Sequence, residues 1–119
     1  MEYMLLIYGS EAEGKKMSQE DGQKIYQEYM TFTQDLTKSG KNKGGNPLEQ
    51  TATATTVRVR NGKTMVTDGP FAETKEQLGG YYLVEAKDLD EAISIAARIP
   101  GARHGSIEVR HVGGLEKFS

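Results

Sequence analysis

The sequence contains no cysteine, and this absence excludes several kinds of chemistry at once. Disulfide bonds, thiolate metal ligands, CxxC redox motifs and a cysteine nucleophile need a residue that none of the 119 positions supplies. A chain of this length can still bury one hydrophobic core without covalent cross-links. We therefore expect one domain spanning residues 1–119, in a cytoplasmic protein.

A long hydrophobic run is also missing. Residues 1–8 lack the basic start and extended apolar region of a secretion signal, and no segment approaches the roughly 18 consecutive apolar residues of a membrane span. Charge of one sign is absent too, because 15 basic and 17 acidic side chains are mixed along the chain and leave a net charge of -2. So weak a field attracts no polyanion. We predict neither a membrane nor a nucleic acid as partner.

The first half of the chain predicts a strand, a helix and a hairpin. Residues 3–8 are apolar on both alternating faces, as in a central strand. Ser18 suits the N-cap of a helix that ends near Gly40, whereas residues 38–47 are polar, without periodicity, and predict a mobile loop. Residues 51–60 and 63–67 flank Asn61-Gly62, which is typical of a hairpin. The apolar stripe of the helix is Ile25, Tyr29, Phe32 and Leu36.

The second half predicts a strand over residues 81–86, a helix beginning at Asp88 and a last strand over residues 106–112. The order strand, helix, hairpin, strand, helix, strand indicates an α+β fold, namely a ferredoxin-like antiparallel sheet with two helices on one face. The predicted buried stripe of the second helix is Leu89, Ala92, Ile93, Ala96 and Ile99.

Two helices cover one face of such a sheet, yet the strands over residues 3–8 and 81–84 carry apolar side chains on the other face as well. An exposed apolar patch of several hundred Å² is unusual on a soluble monomer. We therefore expect a two-fold homodimer. The alternative is that the loop over residues 38–47 shields this face within one chain.

The residues Asp68-Gly69-Pro70-Phe71 predict a rigid turn. The Asp side chain can accept hydrogen bonds from nearby backbone groups, Gly tolerates unusual dihedrals, and Pro biases the residue before it away from helix. With Phe71 as an apolar anchor, this corner would hold the Asp68 carboxylate in a fixed place.

Through the turn and its surroundings the chain resembles the YCII-related family, specifically its DGPF-domain branch. The resemblance is carried by residues 66–82, VTDGPFAETKEQLGGYY, and extends to residues 3–8, 53–58, 88–92 and 105–110.

This resemblance implies a ferredoxin-like fold that pairs into a dimeric α+β barrel, with a cavity between sheet and helices. It also implies two directions for function. Some YCII-like relatives are proposed enzymes that use a His-Asp pair, and many DGPF-domain proteins sit beside extracytoplasmic-function sigma factors.

The candidate catalytic residues are Asp68 and His111. Asp68 matches the aspartate of the family motif and suits a general base or a residue that orients a histidine, although it also suits a cap for residues 69–77. His111 follows Ile107 and Val109 at period two, which predicts a shared sheet face and a place in the dimer cavity; the alternative is an exposed histidine at a strand end.

The candidate ligand-binding residues are aromatic or cationic. Tyr8, Tyr81 and Tyr82 suit the lining of a pocket for a small cyclic ligand, with core packing as the alternative. Arg58 and Arg110 suit a ligand carboxylate, with a solvated strand face or pairing to Glu108 as the alternatives. Phe71 completes this set.

No cofactor or metal is expected. Residues 41–45 hold lysines and glycines without the spacing of a phosphate-binding loop, and the two histidines have no metal-ligand spacing. The leading hypothesis is a cavity for a small organic molecule, with cofactor-free proton-transfer or elimination chemistry near Asp68. One alternative is a non-catalytic regulatory or interaction module that associates with a transcription factor, namely an extracytoplasmic-function sigma factor. Another alternative is a purely structural dimer.

Overall fold

A computed structural model of the chain describes residues 1–114. Its strands are β1 (Glu2–Gly9), β2 (Asn42–Pro47), β3 (Thr55–Arg60), β4 (Lys63–Asp68), β5 (Gln77–Glu85) and β6 (Ser106–His111), and its helices are α1 (Glu11–Lys15), α2 (Gln19–Lys38) and α3 (Leu89–Ala97). Four strands form one sheet in the order β2-β5-β1-β6, and β3 and β4 form a separate two-stranded sheet. All pairings are antiparallel.

The core lies between the four-stranded sheet and the helices α2 and α3. Strand β1 occupies an inner position, as its two apolar faces predict, and Leu5 is 0% exposed. Leu36 of α2 and Ile95 of α3 pack in the same cluster. A fully buried aliphatic side chain contributes about 1.5–3 kcal/mol relative to an exposed one. The predicted architecture of two helices on one sheet face is therefore confirmed.

The ends of α2 follow the signals in the sequence. Ser18 Oγ accepts a hydrogen bond from the Asp21 N–H at 3.1 Å and so caps the N-terminus. At the other end Gly40 has a φ of 77°, and the Lys41 N–H donates to the Leu36 carbonyl at 3.3 Å. A left-handed glycine with this bond is the Schellman arrangement, which satisfies carbonyls that the helix leaves unpaired.

The prediction of a loop over residues 38–47 is wrong, because Asn42–Pro47 is strand β2 at the edge of the sheet. Gly45 pairs with Tyr82 and Pro47 with Gly80 of strand β5. An edge strand needs only one neighbour, so it tolerates a proline and needs no apolar alternation. With β2 in this place the sheet has the ferredoxin-like strand order, and the predicted hairpin is an addition to it.

The hairpin of β3 and β4, residues 55–68, is called the arm below. Its turn is as predicted, since Asn61 and Gly62 have φ values of 53° and 76°. The arm extends away from the core: Val57 is 59% exposed and Val66 is 63% exposed. The radius of gyration is accordingly 16.5 Å, compared with about 13.5 Å for a compact domain of this length.

Helix α3 buries a narrower stripe than predicted. Ala92, Ala96 and Ile99 are buried as expected, whereas Leu89 is 51% exposed and Ile93 is 49% exposed. Their predicted burial is wrong, because the helix is turned so that Ile95 faces the sheet instead. Within residues 1–114, no helix is long and apolar enough to cross a membrane.

The sheet face away from the helices carries a set of half-buried apolar side chains. Met4 pairs with Leu83 and Leu6 with Tyr81 across β1 and β5, and Tyr8 follows at the same period. The strand β2 that replaces the predicted loop lies beside β5 within the sheet. The alternative of a shielding loop is therefore wrong, and the homodimer stays a prediction.

Candidate functional site: a cavity beneath helix α2

A cavity of about 520 Å³ lies between α2 and the sheet. Four side chains of α2 form its roof, and they recur at intervals of three and four residues, so they share one helix face. The floor comes from strands β1, β2 and β5. The roof consists of Tyr26, Tyr29, Met30 and Thr33, and the floor of Ile7, Gly45, Asn46, Pro47, Gly79, Gly80, Tyr81 and Tyr82.

The cavity exists because glycines stand where the floor faces the helix. Gly80 pairs with Ile7, whose side chain packs against the core, and Gly45 pairs with Tyr82, which does the same. Neither glycine has a side chain to fill the space beneath α2. At Gly45 the approach is also close, since an added Cβ would lie 2.5 Å from the Tyr81 carbonyl oxygen. The volume and the strand pairing therefore both depend on these glycines.

The hydrogen-bonded side chains of the cavity are hydroxyls. Tyr82 Oη and Thr33 Oγ1 lie 2.7 Å apart and share a hydrogen bond. Tyr29 Oη accepts a hydrogen bond from the Gly101 N–H at 3.1 Å. Asn46 Nδ2 donates to Tyr81 Oη at 2.9 Å, but Tyr81 pairs with Leu6, so these two side chains lie on the sheet face away from the helices. The hydrogen-bonded phenol groups of the cavity are therefore those of Tyr29 and Tyr82.

Burial raises the pKa of Tyr29 above its ordinary value of 10.0, and it outweighs the opposite effect of the Gly101 N–H. This phenol is therefore protonated at neutral pH and able to donate. Among residues 1–114, no side chain that lines the cavity carries a charge.

An ion pair fixes the backbone that contacts Tyr29. Arg103 Nη1 lies 2.7 Å from Glu28 Oε2, and Arg103 Nη2 donates to Glu28 Oε1 at 2.8 Å. This two-bond geometry joins the turn after α3 to helix α2 and holds Gly101 against Tyr29. The hydrogen bond from Arg103 lowers the pKa of Glu28, and the same bond raises that of Arg103.

Of the sequence-predicted ligand residues, Tyr82 lines the cavity with its side chain, and Tyr81 borders it although its side chain lies on the opposite sheet face, where it pairs with Leu6. Tyr82 also packs edge-on against Phe32 with ring centroids 5.1 Å apart, so it serves core and cavity together. Tyr8 is half-buried on the sheet face away from the helices. Arg110 lies outside the cavity and pairs with Glu108, as the alternative reading of the sequence had it. Arg58 lies on the arm, opposite Met65.

The Asp68 turn is a corner held by backbone geometry. Gly69 has a φ of 101°, and its N–H donates to the Ala54 carbonyl at 2.7 Å. Asp68 itself is exposed, and no helix follows it for the side chain to cap. Phe71 is 79% exposed, so its predicted role as an apolar anchor is wrong within one protomer.

The structure does not join Asp68 and His111 by a hydrogen bond within residues 1–114, and it places them in different sheets. His111 shares a face with Ile107 and Val109 as predicted, but that face is the helix side, because Ile107 and Val109 pack against the core. Its ring stacks on Tyr3 with centroids 5.0 Å apart. The sheet face that a second copy would cover is the opposite one.

These features can be compared with known proteins. The family model described as YCII-related domain matches residues 1–115. The chain belongs to the YCII-related family. An uncharacterised protein of Rhizobium meliloti (strain 1021) is 38% identical to it over 112 residues, which cover 92% of this chain and 90% of that protein. The finer placement in the DGPF-domain branch stays a prediction.

A solved structure similar to this YCII-related protein is that of 5-chloro-2-hydroxyhydroquinone dehydrochlorinase (TftG) from Burkholderia phenoliruptrix AC1100, in complex with 2,5-dihydroxybenzoquinone. The TM-score is 0.55, the sequence identity is 15%, and the match covers 98% of each chain. At this identity the likeness shows a shared α+β fold alone.

Sequence reasoning missed several residues of the cavity in this YCII-related protein. Tyr29 was predicted as part of a core stripe, and Thr33 and Met30 were not singled out. Gly45 was predicted only as part of a mobile loop that lacks the spacing of a phosphate-binding loop. Two glycine pairs, at residues 44–45 and 79–80, are the signal that was available, because glycines on neighbouring strands leave space beneath a helix.

Proposed function

We propose that this protein binds a small organic molecule in the cavity beneath α2 and that it works as a homodimer. The observation that carries the first part is the cavity itself: about 520 Å³, bounded by Tyr29, Thr33 and Tyr82, whose hydroxyl groups are fixed in place by hydrogen bonds. This volume lies within the range of about 300–1,000 Å³ that is usual for small-molecule sites. The fold neighbour TftG was solved with a small cyclic compound bound, which supports a ligand of similar size here.

The binding proposal is tested by filling the cavity. A panel of phenols, quinones, lactones, aromatic ketones and aromatic carboxylates is screened by ligand-observed NMR against the wild type and Met30→Trp. Met30 roofs the cavity and is 42% exposed, so a larger side chain is tolerated by the fold but occupies the site. Met17→Trp is the control, because Met17 is 41% exposed and does not line the cavity.

Compounds that bind the wild type should lose binding in Met30→Trp and keep it in Met17→Trp. Binding that survives in both variants would place the site elsewhere. A panel without a single binder would remove the proposal.

The homodimer is supported by two apolar surfaces. One is the sheet face of Met4, Leu6 and Leu83, and the other is the arm, where Val57 and Val66 stand exposed opposite each other. A two-stranded hairpin without a core is marginally stable in water, so a second copy of the chain is the economical cover. Light scattering should give twice the mass of 13.1 kDa. The mass of a monomer would refute the dimer.

The proton-transfer or elimination chemistry predicted for Asp68 enters the proposal through the dimer. Asp68 is the last residue of β4, at the base of the arm, and it does not line the cavity of its own protomer; in this proposal the Asp68 carboxylate of a second copy reaches the bound ligand. Asp68→Asn is expected to abolish turnover of a compound found in the screen while leaving its binding intact. Glu73→Gln, beyond the same turn, is the control. The sigma-factor alternative finds no support in the relatives.

A further inference from the structure

The hydroxyl of Tyr29 has a defined hydrogen-bond direction. Its oxygen accepts from the Gly101 N–H at 3.1 Å, and this is its one hydrogen bond within residues 1–114. A phenol has one proton to donate. Because the backbone contact uses the oxygen as an acceptor, the proton is left for another group. The ring lines the cavity, so that group can be a ligand.

A second hydroxyl proton comes from the neighbouring pair of Thr33 and Tyr82. These oxygens lie 2.7 Å apart, and either can be the donor. Two hydroxyls carry two protons, and the bond between them uses one. The cavity therefore presents a second hydrogen-bond donor beside Tyr29, from Thr33 of the roof or from Tyr82 of the floor.

Charge narrows the choice of ligand further. The cavity lining within residues 1–114 contains no lysine, arginine or histidine that would balance an anion. A carboxylate or a phosphate brought into a site without a cation loses its hydration and gains no ion pair. An uncharged molecule with an acceptor oxygen loses little hydration and gains the two donors. Tyr26 and Met30 supply apolar surface for its ring.

We infer that Tyr29 determines the specificity of this site, and that the ligand class is an uncharged cyclic compound whose carbonyl oxygen accepts the Tyr29 hydrogen bond. This inference rests on the proposed function, since it names the class of molecule that the cavity takes. It assigns Tyr29 to ligand recognition, a role separate from its packing on the helix stripe.

Three probes of similar size separate the contributions that the ring, the carbonyl acceptor and a negative charge make to binding. Acetophenone has a ring and a carbonyl acceptor, ethylbenzene has the ring without an acceptor, and benzoate has a charge. Their dissociation constants are measured by NMR titration for the wild type, Tyr29→Phe and Tyr8→Phe. Tyr8→Phe also removes one phenol hydroxyl, but Tyr8 lies on the sheet face away from the helices and does not line the cavity, so this variant is the matched control.

The wild type should bind acetophenone more tightly than ethylbenzene, and benzoate least tightly. In Tyr29→Phe the preference for acetophenone over ethylbenzene should fall by about threefold to tenfold, the loss expected for one neutral hydrogen bond. Ethylbenzene should bind both proteins alike, which a merely structural role of Tyr29 would not produce. Tyr8→Phe should keep the preference of the wild type.

The inference and the proposed function can fail separately. If Tyr29→Phe leaves the preference unchanged, or if benzoate binds the wild type most tightly, the inference is overturned although the cavity still binds ligands. The inference is also overturned if acetophenone does not bind while other panel compounds do. If no compound of the wider panel binds the wild type, both the inference and the proposed function are overturned.

Discussion

The contact between Gly101 and Tyr29 predicts that Gly101→Ala is destabilising for one identifiable reason. A Cβ added at Gly101 would lie 2.7 Å from Tyr29 Oη and 3.2 Å from Ile7 Cγ2. The first distance is too short for a carbon and an oxygen, and the phenol cannot simply rotate away because the Gly101 N–H binds it at 3.1 Å. The added methyl must therefore displace either the Tyr29 ring or the turn after α3.

The magnitude follows from three effects. Overpacking a fitted contact costs about 1–3 kcal/mol, and weakening the hydrogen bond to Tyr29 costs about 0.5–1.5 kcal/mol. Against these, replacing glycine by alanine lowers the entropy of the unfolded chain and contributes about 0.4–1 kcal/mol, a gain that is available because Gly101 has no positive φ. The net loss of unfolding free energy should be about 1–3 kcal/mol.

The assay is urea unfolding of the wild type, Gly101→Ala, Tyr29→Phe and the double variant. In Tyr29→Phe the oxygen is gone, and the nearest ring atom to the added Cβ is Cζ at 4.0 Å, an ordinary contact. Gly101→Ala should therefore be less destabilising by at least about 1 kcal/mol in that background, a coupling typical of residues in contact. Free energies that add within about 0.5 kcal/mol would refute this account of the contact.

Three further predictions concern α2 and the groups that bind it. Gly22→Ala in the first turns of α2 should raise the unfolding free energy by about 0.5–1 kcal/mol, because an added Cβ meets nothing within 4 Å; a decrease in urea stability would contradict this. The pKa of Glu28 is lowered from 4.5, so the stabilisation from its pairing with Arg103 should be fully present above pH 4.5. This stabilisation should be lost as the pH falls through the lowered pKa. Arg103→Gln should lack this acid-dependent loss of stability, and identical stability profiles of the two proteins from pH 6 to 2 would be evidence against the pairing. Thr33→Val and Tyr82→Phe should show a coupling of about 0.5–1.5 kcal/mol in a double-mutant cycle, whereas strict additivity would mean that their hydroxyls do not bond.

The predictable parts of the fold were those with a local cause. Strand β1 carries apolar residues on both faces, and α2 has Ser18 at its start and Gly40 just past its end. Each of these elements can therefore be predicted from a few neighbouring residues. Strand β2 has no such cause. Its residues have low strand propensity, and it forms because β5 offers an unpaired edge and because Gly45 permits a close approach. A pairing of this kind is visible only once the neighbour is in place.

The site was harder to predict than the fold, because its residues gain their role from several elements at once. Tyr82 could be expected in a pocket from its type alone. Tyr29 could not be distinguished from the other members of its stripe, since its role depends on Gly101, 72 residues away in the sequence. Asp68 was predicted as a catalytic residue because it begins the Asp68-Gly69-Pro70-Phe71 motif, yet the structure places it on the arm and outside the cavity.

The position of the arm in the chain has a consequence for how this architecture can vary. Pro47 and Gly80 are directly paired in the sheet and β5 begins at Gln77, so the segment over residues 48–76 leaves the sheet and returns to it at neighbouring points. The closure entropy of such an excursion grows slowly with length, by about 0.6 kcal/mol for each doubling. The excursion can therefore be shortened, lengthened or exchanged with little effect on the four-stranded sheet. If the arm carries the proposed oligomer contacts and the proposed catalytic carboxylate, these can diverge between homologues while the cavity beneath α2 is kept.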